Sequence, residues 1–373
     1  MKQRHIAFCL EQAYGHIIPT VGVALKLMQH GHRVSYAVTE KFAPAIRSIG
    51  AYAAVIQPLE TRTKLLQRID KGGGIYDFEG NAEFAALLRK ARTADALTQL
   101  ESLYLDDRPD LMVHDDCLDT AGRQLALDWA IPKVRHQPQV ITKDQLGMFA
   151  PDDEHILVSV PAFFHENLEI FDERFKFIGF IAEGRKQFFK SWEFGATATN
   201  TIHIFPTTGL LPQIDFCRLA IEAFRTWRGQ VVLSLPGELD PVCEISPASL
   251  EIPAGFRLNR SSSNLEILEH SCLLVGQGGQ GSVLEALYCG TPLLLVPPGP
   301  IHADVPRRVQ ELGLGVRLQL ANATPDNLRR SAESLIDDDT VKARLGEVKK
   351  AMREARGAEL AVDVIEGCMS RGV

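Results

Sequence analysis

The chain has 373 residues, 45% hydrophobic and 23% charged, the balance of a folded globular protein with room for two ordinary domains. Its 40 Lys and Arg against 47 Asp and Glu leave a net charge of −7, which argues against a broad surface for nucleic acid or an anionic membrane but not against a local basic pocket. No apolar run reaches the ~18 residues of a bilayer span, and the stretch from Ile6 to Leu10 is too brief for a signal-peptide core, so a cytoplasmic location is expected.

The first 60 residues alternate strand and helix signals. Arg4 to Cys9 reads as a strand, Ile18 to Gln29 as an amphipathic helix, His32 to Val38 as a strand, Lys41 to Ile49 as a helix and Ala53 to Ile56 as a strand, which together make a βαβαβ unit. Gly15 and Pro19 punctuate the first strand-to-helix turn, and Gly31 and Gly50 stand where helix-ending glycines belong. Glu60 to Gly80, with glycines at 72, 73 and 74, reads as a mobile loop, and Asn81 to Tyr104 as a helix. The same grammar continues through the strand Asp110 to Val113, a helix from about Cys117 to Trp129 and the strand Pro132 to His136. Parallel strands joined by helices imply right-handed crossovers and an open sheet.

A second series restarts near residue 201. Thr201 to Phe205, Gln230 to Leu235, Ser271 to Val275 and Pro292 to Val296 read as strands, and Gln213 to Trp227 as a helix. The piece from Gly179 to Asn200 lacks an apolar period and is the linker candidate, so the expected domains are 1–195 and 196–357, followed by a terminal helix over 358–373. Two doubly wound α/β domains facing each other leave one cleft at the carboxyl ends of both sheets, where such folds bind ligands. Seven cysteines (Cys9, Cys117, Cys217, Cys243, Cys272, Cys289, Cys368) form no CxxC pair, and most lie in apolar runs, the pattern of buried free thiols rather than a disulfide framework or a zinc site.

The most informative segment is Gly276-Gln277-Gly278-Gly279-Gln280-Gly281-Ser282, between an apolar strand and a helical stretch. Backbone amides there, the positive end of the helix and the Ser282 hydroxyl together suit phosphate oxygens. The letters also satisfy the dinucleotide fingerprint, but the acidic residue expected after the next strand is replaced by Pro297-Pro298-Gly299-Pro300. A P-loop fails because no Lys follows the glycines, and a merely structural turn is the bland reading. The second segment is Ala13-Tyr14-Gly15-His16-Ile17-Ile18-Pro19, where a histidine at a strand's carboxyl end, with an unperturbed pKa near 6.5, is poised to take a proton. Asp115, at the end of another strand, is a candidate to orient it, with His114 and Asp116 competing for the part.

Gly15-His16-Ile17-Ile18-Pro19, His30-Gly31-His32-Arg33-Val34, Asp110 to Asp115, and Gly278 to Ser282 with Glu285-Ala286-Leu287 and Gly290-Thr291-Pro292 resemble the macrolide-type, family 1 nucleotide-sugar glycosyltransferases of the GT-B fold over nearly the whole chain. The resemblance implies inverting transfer of a sugar from a UDP- or TDP-sugar to a hydroxyl of a small, largely apolar natural-product acceptor, without a metal or a resident cofactor. It implies His16 as base, Asp115 as its orienting group, and the glycine loop with Ser282 on the diphosphate. Glu285 would take the ribose hydroxyls, and the terminal helix would cross back to the first domain.

Departures are as informative. Gln277 stands where such enzymes carry a histidine; it still donates a hydrogen bond but adds no charge. Ser261-Ser262-Ser263-Asn264 replaces the tryptophan motif that stacks the base, and Ile301-His302 replaces the acidic-Gln pair that grips the donor sugar. An apolar residue there suits a deoxygenated sugar, and His302 remains a donor-site candidate. Asp337-Asp338-Asp339 has a DxD spacing but lies between two helical stretches, which fits a turn and N-cap better than a cation site. Arg307 and Arg308 are solvent-facing or phosphate-pairing, and Phe163-Phe164 and Phe188 to Trp192 core or acceptor wall. Two alternatives share the architecture: a non-catalytic helper for a partner transferase, which need not bind a nucleotide, and a nucleotide-sugar epimerase, which needs no acceptor. The acceptor, the donor sugar, the nucleobase and the oligomeric state are not encoded in any recognisable motif.

Overall fold

The computed structural model describes residues 2–58, 82–116, 120–149, 154–193, 200–206, 213–235, 249–299 and 303–370. The predicted loop Glu60 to Gly80, Cys117, Cys243, and the donor-sugar positions Ile301 and His302 lie outside them. By its internal contacts the chain divides into two units, residues 1–188 with 355–373, and residues 189–354.

In the first unit the elements run β1 (His5–Cys9), α1 (Tyr14–Ile17), α2 (Val21–Gln29), β2 (Arg33–Val38), α3 (Ala43–Ser48), β3 (Tyr52–Val55), α4 (Ala82–Tyr104), β4 (Leu111–His114), α5 (Ala121–Asp128), β5 (Lys133–Gln137), β6 (His155–Val158) and β7 (Phe175–Phe177), with the terminal helix numbered below. The strands form one parallel sheet in the order β3-β2-β1-β4-β5-β6-β7. Its alternation decides which helices cover which face. Ile6 and Phe8 of β1 and Val34 and Tyr36 of β2 join one core with α2 and α3, while Ala7, Cys9, Ala37 and Met112 join a second core with Ala96, Leu100 and Tyr104 of α4 and Leu125 of α5. The small strand residues on the second face let α4 and α5 approach closely.

The second unit runs β8 (Thr201–Phe205), α6 (Gln213–Phe224), β9 (Val231–Ser234), β10 (Phe256–Asn259), α7 (Asn264–Leu268), β11 (Ser271–Gly276), α8 (Gln280–Cys289), β12 (Leu293–Leu295), α9 (Asp304–Glu311), β13 (Gly315–Arg317), α10 (Pro325–Ile336) and α11 (Asp339–Glu354). Its sheet is also parallel, ordered β10-β9-β8-β11-β12-β13. The chain then returns to the first unit through α12 (Gly357–Ser370), whose Ala361, Val362 and Ile365 are fully buried in the core shared with α2. His30 and His32 both hydrogen-bond Glu366 of α12, at 2.9 and 3.0 Å. Among the described residues no helix is long and apolar enough to cross a membrane. No described cysteine is in a disulfide, and burial pushes the thiols of Cys217 and Cys289 up to about 12.

Three neighbouring-strand pairs are stitched by a histidine and a serine. His5 Nε2 lies 2.8 Å from Ser35 Oγ, His136 Nε2 2.8 Å from Ser159 Oγ, and His203 Nε2 2.7 Å from Ser234 Oγ. Burial pushes the pKa of His136 and of His203 down to about 3. His114 goes the other way. Burial alone would lower it, but hydrogen bonds and charge from Asp116 and Glu154 outweigh that and raise it to about 9. The signs follow by linkage. The unfolded chain binds protons below about 6.5 that His136 and His203 cannot bind when folded, so each loses about 1.4 kcal/mol of stability per pH unit from there toward 3. His114 contributes fully below about 6.5, and its contribution disappears as pH rises through 9. Thermal melts from pH 4 to 10 should therefore show a maximum near pH 6 to 7 with a fall on both sides; a melting temperature still rising at pH 9.5 would contradict the buried His114 cation.

Candidate active site

The carboxyl end of β1 leads through Leu10-Glu11-Gln12 into α1, a single turn that starts at Tyr14 and runs on through a 3-10 turn, Ile18–Thr20, into α2. Pro19 is the second residue of that turn, within the first positions whose N–H groups a helix leaves unbonded. This geometry buries His16 to 9% exposure beside the end of β4. Asp115, the residue after β4, is 8% exposed, and its Oδ2 lies 2.8 Å from His16 Nδ1. Its carboxylate also accepts from the Glu11 N–H, 3.2 Å from each oxygen. Burial pushes the Asp115 pKa up, but the hydrogen bond and charge of His16 outweigh it and hold the carboxyl below its usual range. An anionic carboxylate on Nδ1 fixes that nitrogen as the N–H and leaves Nε2 with the lone pair.

The competitors for the orienting role are engaged elsewhere. His114 is fully buried between Asp116, at 3.1 Å, and Glu154, and Asp116 also faces Arg135 at 3.5 Å. Three groups near the dyad went unread in the sequence. Arg92 of α4 donates to Glu11 Oε2 at 2.9 Å, both side chains 4% exposed. His136 of β5 lies close enough to Asp115 and His16 for their charges to act on it, and its Nδ1 is buried without a hydrogen-bond partner. Glu11, Arg92 and Asp115 also line a small pocket with Ala37, Ile56 and Ala96.

In the second unit, β11 ends at Gly276 and α8 begins at Gln280, so Gln277, Gly278 and Gly279 form the turn between them. Gly278 takes φ +90°, and a Cβ on it would collide with the ring of Pro306 in α9. Gly279 is the N-cap and supplies no side-chain cap; the first intrahelical bond is Val283 N–H to Gly279 O at 3.1 Å. The amides of Gln280, Gly281 and Ser282 therefore stand ahead of the helical ladder at its positive end. Gly281 is exposed with open space beside its Cα, and Gln277 is buried. The Ser282 hydroxyl donates to Gly279 O at 2.8 Å, and half-buried Glu285 lies one turn on.

The remaining sequence candidates resolve simply. Asp338 Oδ1 accepts from the N–H groups of Thr340 and Val341 at 2.9 and 3.1 Å, which makes the acidic run a cap on α11. Arg307 and Arg308 pair with Glu311 of their own helix. Phe164 is buried, and Phe188 packs against the first core. At Ser261 to Asn264 the chain is held by Asn259, whose Oδ1 accepts from the N–H groups of Ser261 and Ser262 at 3.2 and 2.8 Å.

Comparison with known proteins places these features in context. Residues 239–366 match the family model described as erythromycin biosynthesis protein CIII-like, C-terminal domain. The NDP-glycosyltransferase YjiC of Bacillus subtilis (strain 168) is 30% identical across 100% of this chain and 99% of its own length. The demethyllactenocin mycarosyltransferase of Streptomyces fradiae is 28% identical across 99% of this chain and 87% of its own. Among solved structures, the calicheamicin glycosyltransferase CalG4 superposes with a TM-score of 0.76 at 25% identity, covering 100% of this chain and 99% of CalG4.

Proposed function

The chain belongs to the macrolide-type nucleotide-sugar glycosyltransferases of the GT-B fold, and from that premise we propose the course of its reaction. A sugar moves from a UDP- or TDP-sugar to a hydroxyl of a small, largely apolar acceptor, with inversion and without a metal. His16 is the general base. The observation that supports this most directly is the 2.8 Å hydrogen bond between His16 Nδ1 and a buried, anionic Asp115.

As the acceptor oxygen attacks the anomeric carbon, its proton passes to His16 Nε2. The bond from that carbon to the diphosphate oxygen breaks, and the electron pair leaves with the nucleotide. Asp115 holds the ring in the productive tautomer and stabilises the imidazolium that forms. A single displacement inverts the carbon and needs no protein nucleophile. The departing diphosphate is stabilised by the amides of Gln280, Gly281 and Ser282 and by the positive end of α8. That main-chain cradle takes the part a metal ion would otherwise play on the leaving diphosphate. Gln277 and Glu285 complete the donor site as a phosphate donor and a ribose acceptor.

Calorimetry against UDP and TDP is the direct test, with transfer assayed in parallel in excess EDTA. Micromolar binding of at least one nucleotide, and turnover unchanged by the chelator, are expected. Failure to bind either would favour a helper protein, and loss of turnover that magnesium restores would end the metal-free mechanism.

A further inference from the structure

Behind the dyad lies a second charge pair that the transfer chemistry does not use. Glu11 and Arg92 come from segments 81 positions apart, and their side chains meet at 2.9 Å while almost wholly buried. Stability alone does not call for such a pair, because desolvating two charges offsets most of their attraction, and apolar replacements often do as well. Its placement is specific. The Glu11 N–H is shared by both oxygens of Asp115. On the same helix, Arg89 donates to the carbonyl of Asp116 and Thr93 Oγ1 accepts from the Thr120 N–H at 3.1 Å. One helix thus grips both segments that carry the dyad, the turn after β1 and the turn after β4.

We propose that Glu11 and Arg92 are positioning residues for the His16–Asp115 dyad: the pair aims the Glu11 amide at Asp115 and cancels its own charge, so that the Glu11 carboxylate adds little to the field at His16. This rests on the reading of His16 as base. Among the described residues, the groups that face the dyad include Asp115 beyond β4, Glu11 beyond β1, Arg92 of α4 and His136 of β5, while Asp116 pairs with His114 and Arg135. Burial holds His136 neutral near pH 7, so it adds no charge beside those of Asp115, Glu11 and Arg92.

The sign of each charge gives the test. Glu11→Gln removes an anion near His16 and should lower its pKa, whereas Arg92→Met removes a cation and should raise it, each by about half to one unit. The double variant should return to within about 0.3 unit of wild type, because it removes both charges together. Titration of 13C-labelled histidines by NMR, with His16 assigned by its loss in His16→Ala, reads this without any substrate. The acid limb of kcat/KM should move in the same opposite directions in the two single variants. Shifts of equal sign, no shift, or a double variant as perturbed as the singles would overturn the proposal, since a pair that only props up the fold gives those patterns. If Arg92→Met does not fold, the fall in Glu11→Gln and its recovery in the double variant decide the matter. Should His16→Ala retain full transfer, the base assignment fails separately, while the titrations still report whether the pair governs the dyad.

Discussion

Replacing His16 by alanine should lower kcat by about 10²- to 10⁴-fold while leaving nucleotide affinity unchanged, because the ring takes a proton during transfer and belongs to the unit that lacks the glycine turn. Asp115→Asn tests the same idea through the tautomer. A carboxamide offers its NH2 to His16 Nδ1 or to the Glu11 N–H, and both options disrupt what Asp115 now does, since the first puts the ring proton on Nε2 and the second sets donor against donor. A loss of about 10²-fold or more is expected, with the melting temperature nearly kept. The measurement is initial rate against donor and acceptor concentration, using the substrate pair that the wild-type chain turns over. Turnover near wild type in both variants would remove the proposed base.

The second large effect separates binding from folding at the glycine turn. Gly281 occupies the second position of α8, exposed, with nothing beside its Cα, so alanine there should stabilise the helix by roughly 0.5–1 kcal/mol. The same methyl group would stand where a diphosphate meets the open amides. Gly281→Ala is therefore expected to raise the melting temperature by about 2 °C and to weaken UDP or TDP binding about tenfold or more. Gly278→Ala should instead lose both, because its φ of +90° and the Pro306 ring leave no place for a Cβ. Calorimetry and thermal melts on the two variants check this; unchanged nucleotide affinity in Gly281→Ala would move the phosphate site away from this turn.

The central strands were legible because strands buried on both faces read as unbroken apolar runs, as in Ile6 to Cys9 and Leu273 to Val275. β6, β7, β10 and β13 were not. A charged residue interrupts Phe175-Lys176-Phe177, Phe256-Arg257-Leu258 and Gly315-Val316-Arg317, so no apolar run of the kind that marks β12 or β9 appears there. At the site, His16 and Asp115 could be singled out because both follow strands at the sheet's carboxyl end. Glu11 and Arg92 could not, since a buried charge is intelligible only once its partner is known, and that partner is 81 positions away. A faint signal existed: Arg92, Ala96 and Leu100 share one face of a helix, an arginine in line with core residues. Ile301-His302, outside the described residues, keeps its donor-sugar assignment as a reading of sequence.

The return of α12 to the first unit has a consequence for synthesis on the ribosome. The sheet that carries His16 and Asp115 is translated before the second unit, yet Ala361, Val362, Ile365 and Met369, which seal the face of that sheet beside α2, are translated after it. The early half of the nascent chain must therefore wait, with a strip of its hydrophobic interior uncovered, while the whole glycine-turn unit emerges and folds on its own contiguous sequence.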